Sequence, residues 1–231
     1  MYKIAVFRTL QLGDLLCAMP AIATMKYNYP KSTLYFIGLP HMEPFIKRFD
    51  YVDKFVAFPG HPALPEIPCD LVALRDFVTA MRVERFDLLV QLQGKGAIVN
   101  DFLGSLGAQR LVGFHPEAAD QKPDWMTYPE GLHEVDRHLA LMDFLGLKIA
   151  NRSMHFPLFP QDWRNFEIIS QQLSYPFVIV HVGSRDPHRQ WPIENFAYLA
   201  AYLHDKNYQI VLTGVAREQQ LVSKIETLLS L

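Results

Sequence analysis

The sequence predicts an α/β protein built on parallel sheets, and three features of the pattern support this. Short apolar runs alternate with longer amphipathic segments along the whole chain. The short runs are apolar throughout, which is typical of parallel strands covered by helices on both faces. The alternation stops in a proline-containing segment, 151–160, and then restarts. We therefore expect two successive units, 1–150 and 151–231.

The composition is that of a globular protein and excludes several classes of function. Half of the 231 residues are hydrophobic and a fifth are charged. The net charge of -2 argues against a broad nucleic-acid-binding surface. Cys17 and Cys69 lie among apolar neighbours without a CxxC motif, which predicts reduced thiols. We see no signal peptide and no apolar run of about 20 residues, so we expect a cytoplasmic protein, with peripheral membrane contact left open.

The first unit is predicted to contain five strands and their helices. Strands are expected at 4–7, 34–37, 54–58, 87–91 and 110–114. Helices are expected at 14–27, 43–49, 71–84, 97–106 and 132–145. Pro20 is expected to begin or kink a helical segment, because it has no N–H to donate. Asp70 is a good N-cap and Gly146 a natural C-cap, and 115–131 is interpreted as a long loop.

The second unit is predicted to be a linker followed by a partial α/β domain. Helices are expected at 162–173, 192–204 and 216–229, and strands at 177–182 and 209–213. Two strands bury too little surface to form an independent domain. We therefore expect either that the protein continues past Leu231 or that this half packs on the first unit.

The loop after the first strand, 8–14, is the first candidate for a functional site. In open parallel sheets, ligands bind at the carboxyl ends of strands, where this loop lies. Gly13 would allow a close backbone approach. Asp14 is either a helix N-cap or a functional carboxylate, and the Gly-Asp pair alone does not decide between them.

The segment 181–192 is the second candidate. It follows a strand and contains Gly183, Ser184 and the cations Arg185 and Arg189 just before Pro192, which suits the first turn of a helix. A Gly-Ser turn, nearby cations and a helix N-terminus suit a phosphate group. The alternative interpretation is a solvated, charged loop.

A competing pattern, Gly94-Lys95-Gly96, resembles the start of a dinucleotide fingerprint. Val99 stands in place of the third glycine, and no strand ending in an acid follows about 20 residues later, as ribose binding would require. We interpret it as a tight turn. The sequence has no Asp-x-Asp pair and its histidines lack the spacing of metal ligands, so we expect neither a metal nor a cofactor.

Five motifs in the right order resemble glycosyltransferase family nine, the heptosyltransferases. They are Ile4 to Asp14 with Pro20-Ala21, Asp87 to Gly94, Arg110 to Phe114, His133 to Leu147, and His181 to Pro192. Gln91 stands where the family usually has an acid, and Arg189 stands where it usually has a phosphate-binding lysine. An arginine keeps the charge and adds a bidentate fork.

This resemblance implies a GT-B-like protein with two Rossmann-like domains. The first would hold the acceptor and the second a nucleotide sugar, typically ADP-heptose. The implied reaction is inverting, metal-independent transfer of a sugar to a lipopolysaccharide-type or other glycan acceptor. Asp14 would be the general base. The resemblance places Arg8, Gly13 and Gln93 on the acceptor side and Gly183, Ser184 and Arg189 at the donor diphosphate. We further expect Arg8 to hold an anionic acceptor group such as a phosphate or a sugar-acid carboxylate.

The family's later Asp-Ser/Thr-Gly-x-x-His element is expected beyond Leu231. On that basis, this stretch of chain is expected to bind the donor weakly and to show no transfer alone. Two alternatives stay open. One is an NAD(P)-dependent oxidoreductase that uses the Gly94 turn. The other is a truncated, non-catalytic product that binds an acceptor or a partner.

Overall fold

The computed structural model describes residues 1–96, 98–116, 123–184 and 186–229. The contacts within the chain define two compact units, Met1–Pro157 and Leu158–Leu231. Each unit contains parallel strands connected through helices, which confirms the predicted fold class. Within the described ranges, no helix is long and apolar enough to cross a membrane.

The first unit is a six-stranded parallel sheet with the strand order β3-β2-β1-β4-β5-β6. This is the Rossmann order, in which the direction of strand addition reverses between β1 and β4. The strands are β1 (Lys3–Phe7), β2 (Thr33–Gly38), β3 (Lys54–Ala57), β4 (Leu88–Gln91), β5 (Arg110–His115) and β6 (Trp125–Thr127). The helices are α1 (Leu12–Asn28), α2 (Glu43–Ile46), α3 (Leu71–Glu84), α4 (Ile98–Gly104) and α5 (Glu134–Phe144).

Both faces of this sheet are buried, and β1 shows why its sequence is apolar throughout. Ile4 and Val6 belong to a cluster that includes residues of α1 and α5. Ala5 and Phe7 point to the opposite face, into a cluster with residues of α3 and α4. Successive strand residues alternate between faces, so each residue of a central strand must be apolar.

Helix α1 differs from the prediction at its start, and of the two predicted effects of Pro20 it excludes a new segment. It begins at Leu12, two residues earlier than expected, so Gly13 and Asp14 lie in its first turn. The helix also runs through the buried Pro20, which does not begin a new segment. We attribute this to tertiary packing, because α1 lies in the buried cluster and contacts α5, and such packing can override local propensity.

The long loop predicted at 115–131 contains a sixth strand. Trp125–Thr127 pairs in parallel with β5, with Phe114 opposite Met126. A strand of three residues in a polar segment is too short to produce a recognisable hydrophobic pattern. Residues 117–122 of this segment lie outside the described ranges.

The first unit extends seven residues past the predicted boundary at 150. The Phe156 ring stacks on Phe45, with the ring centroids 5.9 Å apart, and the Arg48 guanidinium lies 4.9 Å from the Phe156 centroid. Arg48 Nε also donates to the carbonyl of Pro157 at 3.0 Å. These contacts attach most of the predicted linker to the first unit. The acceptor and donor roles of the two units stay predictions.

The second unit has a two-stranded parallel sheet. Its elements are α6 (Pro160–Ser170), β7 (Phe177–His181), α7 (Ile193–His204), β8 (Gln209–Thr213) and α8 (Gln219–Leu229). The predicted elements are confirmed with shifts of a few residues at their ends. The buried core is small and consists of Val180, Val182, Ala197 and Ile225.

We expect Asp70→Ala to lower the free energy of unfolding by about 0.5–2 kcal/mol, the usual effect of losing an N-cap. Asp70 Oδ1 accepts hydrogen bonds from the N–H groups of Val72 and Ala73 at 2.8 and 3.2 Å, so two donors at the start of α3 would lose their partner. Urea unfolding measured by circular dichroism tests this. Asp76→Ala, an exposed acid later in the same helix, is the control, and equal effects of both changes would contradict the prediction.

Candidate functional site

The carboxyl ends of β1 and β4 lie side by side at the point where the strand order reverses. Phe7 is paired with Gln91 in the parallel register, so the residues that follow both strands emerge at the same edge. These residues include Arg8 and Thr9 after β1 and Gln93 after β4. In open α/β sheets this position forms the crevice that binds ligands. We call this group, together with Asp14, the first-unit site.

Asp14 is the third residue of α1, and its side chain both bonds to the helix start and is exposed to solvent. Its Oδ2 accepts a hydrogen bond from the N–H of Gln11 at 3.3 Å, which satisfies one free donor at the helix start. Its side chain is nevertheless 47% exposed. Asp14 is therefore not the N-cap residue itself, which is Gln11. Its carboxylate supports the helix start and still faces solvent, where a ligand can reach it.

The guanidinium of Arg8 is completely buried beneath Asp14. Its Nε donates to the carbonyl of Asp14 at 2.8 Å, and its Nη2 donates to Glu134 Oε1 at 3.0 Å. Its Nη1 bonds to the carbonyl of Leu92 and lies 2.9 Å from His138 Nε2. The predicted role of Arg8, holding an anionic acceptor group, is therefore wrong in this structure. Its fork is occupied by protein groups, and it positions the start of α1 instead.

His138 is buried next to Arg8, and its tautomer follows from that contact. Because arginine can only donate, His138 Nε2 must accept, which leaves the hydrogen on Nδ1. Nδ1 lies 3.4 Å from the carbonyl of Cys17, so it can donate there. Burial, reinforced by the charge of Arg8, lowers the pKa of His138 to about 3. His138 is therefore neutral at physiological pH.

Glu134 compensates the buried charge of Arg8. Its carboxylate bonds to both Arg8 and Arg137, and its side chain is partly exposed. Partial burial acts to raise the pKa of Glu134, but the neighbouring cationic groups outweigh it and hold the pKa below its ordinary value. Arg8, Arg137 and Glu134 therefore form one charged network next to Asp14. The sequence alone assigns Glu134 no role at this site, because its partner Arg8 lies 126 positions away.

The loop after β4 is fixed by two glutamine side chains. Gln93 is buried, and its Oε1 accepts from the N–H of Thr9 at 2.8 Å, which links the ends of β4 and β1. Gln91 Oε1 accepts from the N–H of Phe114 at 3.2 Å, and its Nε2 donates to the carbonyl of Gln93 at 2.5 Å. A carboxylate at position 91 could not make the second bond, because it has no hydrogen to donate. Glutamine thus fits this position in place of the family's acid.

Gly13 lies in the first turn of α1, where a Cβ atom would meet nothing within 4 Å. The open space is compatible with the predicted close approach of a ligand, but the backbone itself does not require glycine here.

The Gly94–Gly96 segment is a tight turn, as predicted. Both glycines have positive φ angles, of 55° and 93°. A Cβ atom on Gly96 would lie 2.2 Å from the carbonyl oxygen of Phe114 and 2.3 Å from Asn100 Nδ2. The backbone at Gly96 is thus packed directly against β5 and α4, which leaves no space there for a cofactor pyrophosphate. The structure gives no support to the oxidoreductase alternative.

In the second unit, Gly183 lies directly against a buried carboxylate. A Cβ atom on Gly183 would be 2.0 Å from the carboxyl carbon of Glu218, so any side chain at this position would displace Glu218. Glu218 is 6% exposed and accepts from the N–H of Val215 at 2.9 Å. The loops after β7 and β8 therefore meet at this contact. Glu218 was not identified from the sequence, since its partner lies in a different loop.

The remaining predicted donor residues lie in the loop between β7 and α7. The carbonyl of Ser184 accepts from Gln190 Nε2 at 2.9 Å. The Arg189 side chain is 82% exposed, with Nε 3.8 Å from Asp186 Oδ2. Pro192, which was predicted in the first turn of this helix, is instead the N-cap of α7, one position before Ile193. Arg185 lies outside the described residues.

An open groove in the second unit runs between the start of α7 and α8. Its lining includes Glu194 at the start of α7, Arg217 in the loop after β8, and Lys224 in α8. The two cations were not identified from the sequence. Within the described part of the chain, no group of three or more His, Cys, Asp or Glu side chains could hold a metal ion.

Comparison with known proteins gives consistent matches. The sequence model of "Glycosyltransferase family 9 (heptosyltransferase)" matches residues 74–230. Lipopolysaccharide heptosyltransferase 2 of Escherichia coli K12 is 23% identical over 244 residues, which cover 96% of this chain and 66% of that protein. The chain therefore spans about two thirds of the length of this relative.

Two solved structures share the fold. The glycosyl transferase family 9 structure from Veillonella parvula DSM 2008 has a TM-score of 0.73 at 16% identity, covering 98% of this chain and 66% of that one. The structure of E. coli heptosyltransferase WaaC with ADP-2-deoxy-2-fluoro heptose has a TM-score of 0.69 at 14% identity, covering 97% and 73%. At these identities the likeness concerns the fold alone.

The low pKa of His138 makes the stability of the protein depend on pH. Below pH 6.5 the unfolded chain binds a proton at this side chain, whereas the folded chain does so only near pH 3. As the pH is lowered from about 6 to about 4.5, the free energy of unfolding should therefore fall by up to about 1.4 kcal/mol per pH unit. Urea unfolding at a series of pH values measures this slope. We expect a shallower slope for His138→Gln, and an unchanged slope in that variant would contradict the assignment.

Proposed function

Because this chain belongs to glycosyltransferase family 9, we propose that it contributes the acceptor-side base and part of the donor site of an inverting sugar transferase. The observation that carries the proposal is the half-exposed carboxylate of Asp14 at the carboxyl end of β1, held in place by the buried Arg8. The proposed sugar is heptose from ADP-heptose, and the proposed acceptor is a lipopolysaccharide-type glycan. Relatives named lipopolysaccharide heptosyltransferase support this choice.

In the proposed reaction, an acceptor hydroxyl attacks the anomeric carbon of the nucleotide sugar. Asp14 takes the hydroxyl proton, the new glycosidic bond forms, and the bond to the diphosphate oxygen breaks. The nucleoside diphosphate leaves with the bonding electrons. A carboxylate acts well as a base when proton transfer occurs late in an oxocarbenium-like transition state. Arg8 takes no direct part and fixes the start of the helix that carries Asp14.

The proposed diphosphate site consists of Ser184, Arg189 and the backbone at Gly183. The exposed Arg189 guanidinium could bind two phosphate oxygens and stabilise the charge that develops on the leaving group. Glu218 keeps the backbone at Gly183 in place, so this loop has a fixed anchor. Arg217 and Lys224 in the neighbouring groove add further positive charge to the same unit.

We also propose that the protein needs no cofactor and works in the cytoplasm at the inner face of the membrane, where a lipid-linked acceptor would be available. The absence of an Asp-x-Asp pair from the sequence motivates a metal-independent mechanism. In such a mechanism arginine side chains and amide groups neutralise the leaving diphosphate, a role that a divalent cation plays in other enzymes.

In a form of the protein that shows sugar transfer, Asp14→Asn should reduce its rate about 10²–10⁴-fold, because the amide cannot accept the acceptor proton. The amide oxygen can still accept the hydrogen bond from Gln11, so the fold should be retained, and circular dichroism can confirm this. The assay measures ADP release from ADP-heptose in the presence of a heptose-deficient lipopolysaccharide. Asp76→Asn, which changes an exposed acid on α3, is the matched control. Near-normal transfer by the Asp14→Asn variant would leave Asp14 with a structural role only.

In a form of the protein that shows sugar transfer, the reaction should continue at an unchanged rate in excess EDTA. The physical reason is that fixed cationic side chains, with Arg189 first among them, would supply the positive charge at the diphosphate. The same ADP-release assay is run with EDTA, and then again after Mg²⁺ or Mn²⁺ has been added in excess. Loss of activity in EDTA that the added metal restores would rule out the proposed diphosphate site.

A further inference from the structure

The loop between β3 and α3, residues 58–70, is compact and closes on itself. A Cβ atom on Gly60 would lie 2.6 Å from the carbonyl oxygen of Pro68, so the two ends of the loop are in direct contact. Leu64 is buried in the cluster that also contains Phe58 and Phe102. The His61 ring packs on Phe102 with the centroids 4.9 Å apart. The loop is therefore an Ω-type loop anchored on the first unit.

This loop brings an acidic side chain to the first-unit site. Gln93 Nε2 donates to Glu66 Oε1 at 3.4 Å, while Gln93 Oε1 accepts from the N–H of Thr9 at 2.8 Å. Glu66, Gln93 and Thr9 therefore form a continuous chain of contacts across the carboxyl ends of β4 and β1. We call these three residues the Glu66 array. Thr9 lies only five positions before Asp14, in the segment that leads into α1.

Each end of the Glu66 array has a buried oxygen atom without a hydrogen-bond partner. These atoms are Oε2 of Glu66 and Oγ1 of Thr9, and the Thr9 side chain is fully buried. Among the described side chains, Asn100 Oδ1 is the third such atom. Buried polar atoms are normally satisfied, so two unsatisfied atoms on either side of one glutamine, at a strand-order reversal, call for a ligand.

The chemistry of these atoms selects the ligand. An ionised carboxylate can only accept hydrogen bonds, whereas the hydroxyl of threonine can both donate and accept. A sugar hydroxyl also does both, so it can donate to Glu66 and accept from Thr9. A phosphate or carboxylate group at neutral pH has no hydrogen for Glu66 and would add a negative charge beside it.

The charges around the site favour the same choice. The described loops after β1, β3, β4 and β6 contain two arginine or lysine side chains, those of Arg8 and Lys95. Arg8 is buried against Glu134, and Lys95 is paired with Glu130. An anionic ligand would meet the carboxylates of Asp14 and Glu66 without a free cation from these loops.

We infer that the Glu66 array binds the hydroxyl groups of a neutral acceptor sugar, so that the reacting part of the acceptor carries no phosphate or carboxylate. This inference rests on the proposed function, because it names the acceptor class of the same site. Both unpartnered oxygens are covered in the structure, so the groups around them must move to admit the sugar.

Acceptor binding is measured without any nucleotide sugar, by saturation-transfer NMR titration of the whole chain. The probes are methyl α-mannopyranoside and methyl α-mannopyranosiduronate, the same glycoside with a carboxylate in place of the C6 hydroxymethyl group. We expect the neutral glycoside to bind the unmodified protein at least tenfold more tightly. This comparison needs no variant, so it tests the inference even if a substitution disturbs folding. Tighter or equal binding of the uronate would overturn the inference.

Two substitutions locate the effect. Glu66→Gln should weaken binding of the neutral glycoside at least threefold and strengthen binding of the uronate, and both changes reduce the preference shown by the unmodified protein. Thr9→Val, which removes the hydroxyl at similar volume, should weaken binding of the neutral glycoside. Glu84→Gln, at the opposite edge of the sheet, is the control and should change neither affinity. Unchanged affinities in the Glu66→Gln variant would overturn the inference.

The outcome is separable from that of the proposed function. If the neutral glycoside binds as expected but no sugar transfer is found, only the proposed transferase activity fails. If transfer occurs and the preference for the neutral glycoside is absent, only the role of the Glu66 array fails.

Discussion

The charge of Arg8, buried at the end of the central strand, is the constraint on which the first-unit site depends. A guanidinium removed from water is stable only when its charge is paired and its hydrogens are bonded. The partners of Arg8 come from α1, from the loop after β4 and from α5, at sequence separations of 6, 84, 126 and 130. Displacing Glu134, the carboxylate nearest to the guanidinium, would leave the buried charge poorly paired, at a cost of about 3–5 kcal/mol. The three segments are therefore held in one arrangement.

This constraint also determines the charge available for chemistry. The carboxylate of Glu134 neutralises the charge of Arg8 at a distance of 3.0 Å, and the low pKa of His138 keeps the imidazole ring uncharged. The positive charge of Arg8 is thus used within the protein and is not available to a ligand. What remains at the accessible edge is the carboxylate of Asp14, supported through its own backbone carbonyl by Arg8. An exposed acid on a rigid helix start is well suited to remove a proton from a bound hydroxyl.

The features that could be predicted from the sequence are those set by local pattern. The apolar strands, the Asp70 cap and the tight turn at Gly94–Gly96 each depend on a few adjacent residues, and the structure confirms them. Asp14 was identified as a candidate from its position after the first strand.

The features that escaped prediction depend on contacts between distant parts of the chain. Strand β6 is three residues long and exists because β5 offers a free edge. The burial of Arg8 depends on α5, and the requirement for glycine at position 183 depends on Glu218 in another loop. A single sequence shows each of these residues but not its partner. An arginine after a strand therefore suggested a ligand contact, when its partners were within the fold.

The structure separates residues that the fold explains from residues that it does not. Gly183 is required by the carboxylate of Glu218, whatever the loop binds, so this glycine alone does not argue for a phosphate. Arg8 and Gln91 are likewise explained by their buried hydrogen bonds. Arg189 extends into solvent with its nearest carboxylate oxygen 3.8 Å away, and that weak, exposed ion pair does little for stability.

Departures from good packing and hydrogen bonding are expected where a protein acts on other molecules. In the first unit, the unpartnered oxygen of Glu66 is such a departure, and the half-exposed carboxylate of Asp14 lies at the same edge of the sheet. In the second unit, the exposed Arg189 guanidinium has no structural explanation of comparable strength. An acid that can take a proton and a cation that can receive a diphosphate are the two groups that a metal-independent sugar transfer needs. The fold explains Asp14 only through one hydrogen bond to Gln11 and Arg189 only through a weak ion pair, which supports the proposal that both serve the reaction.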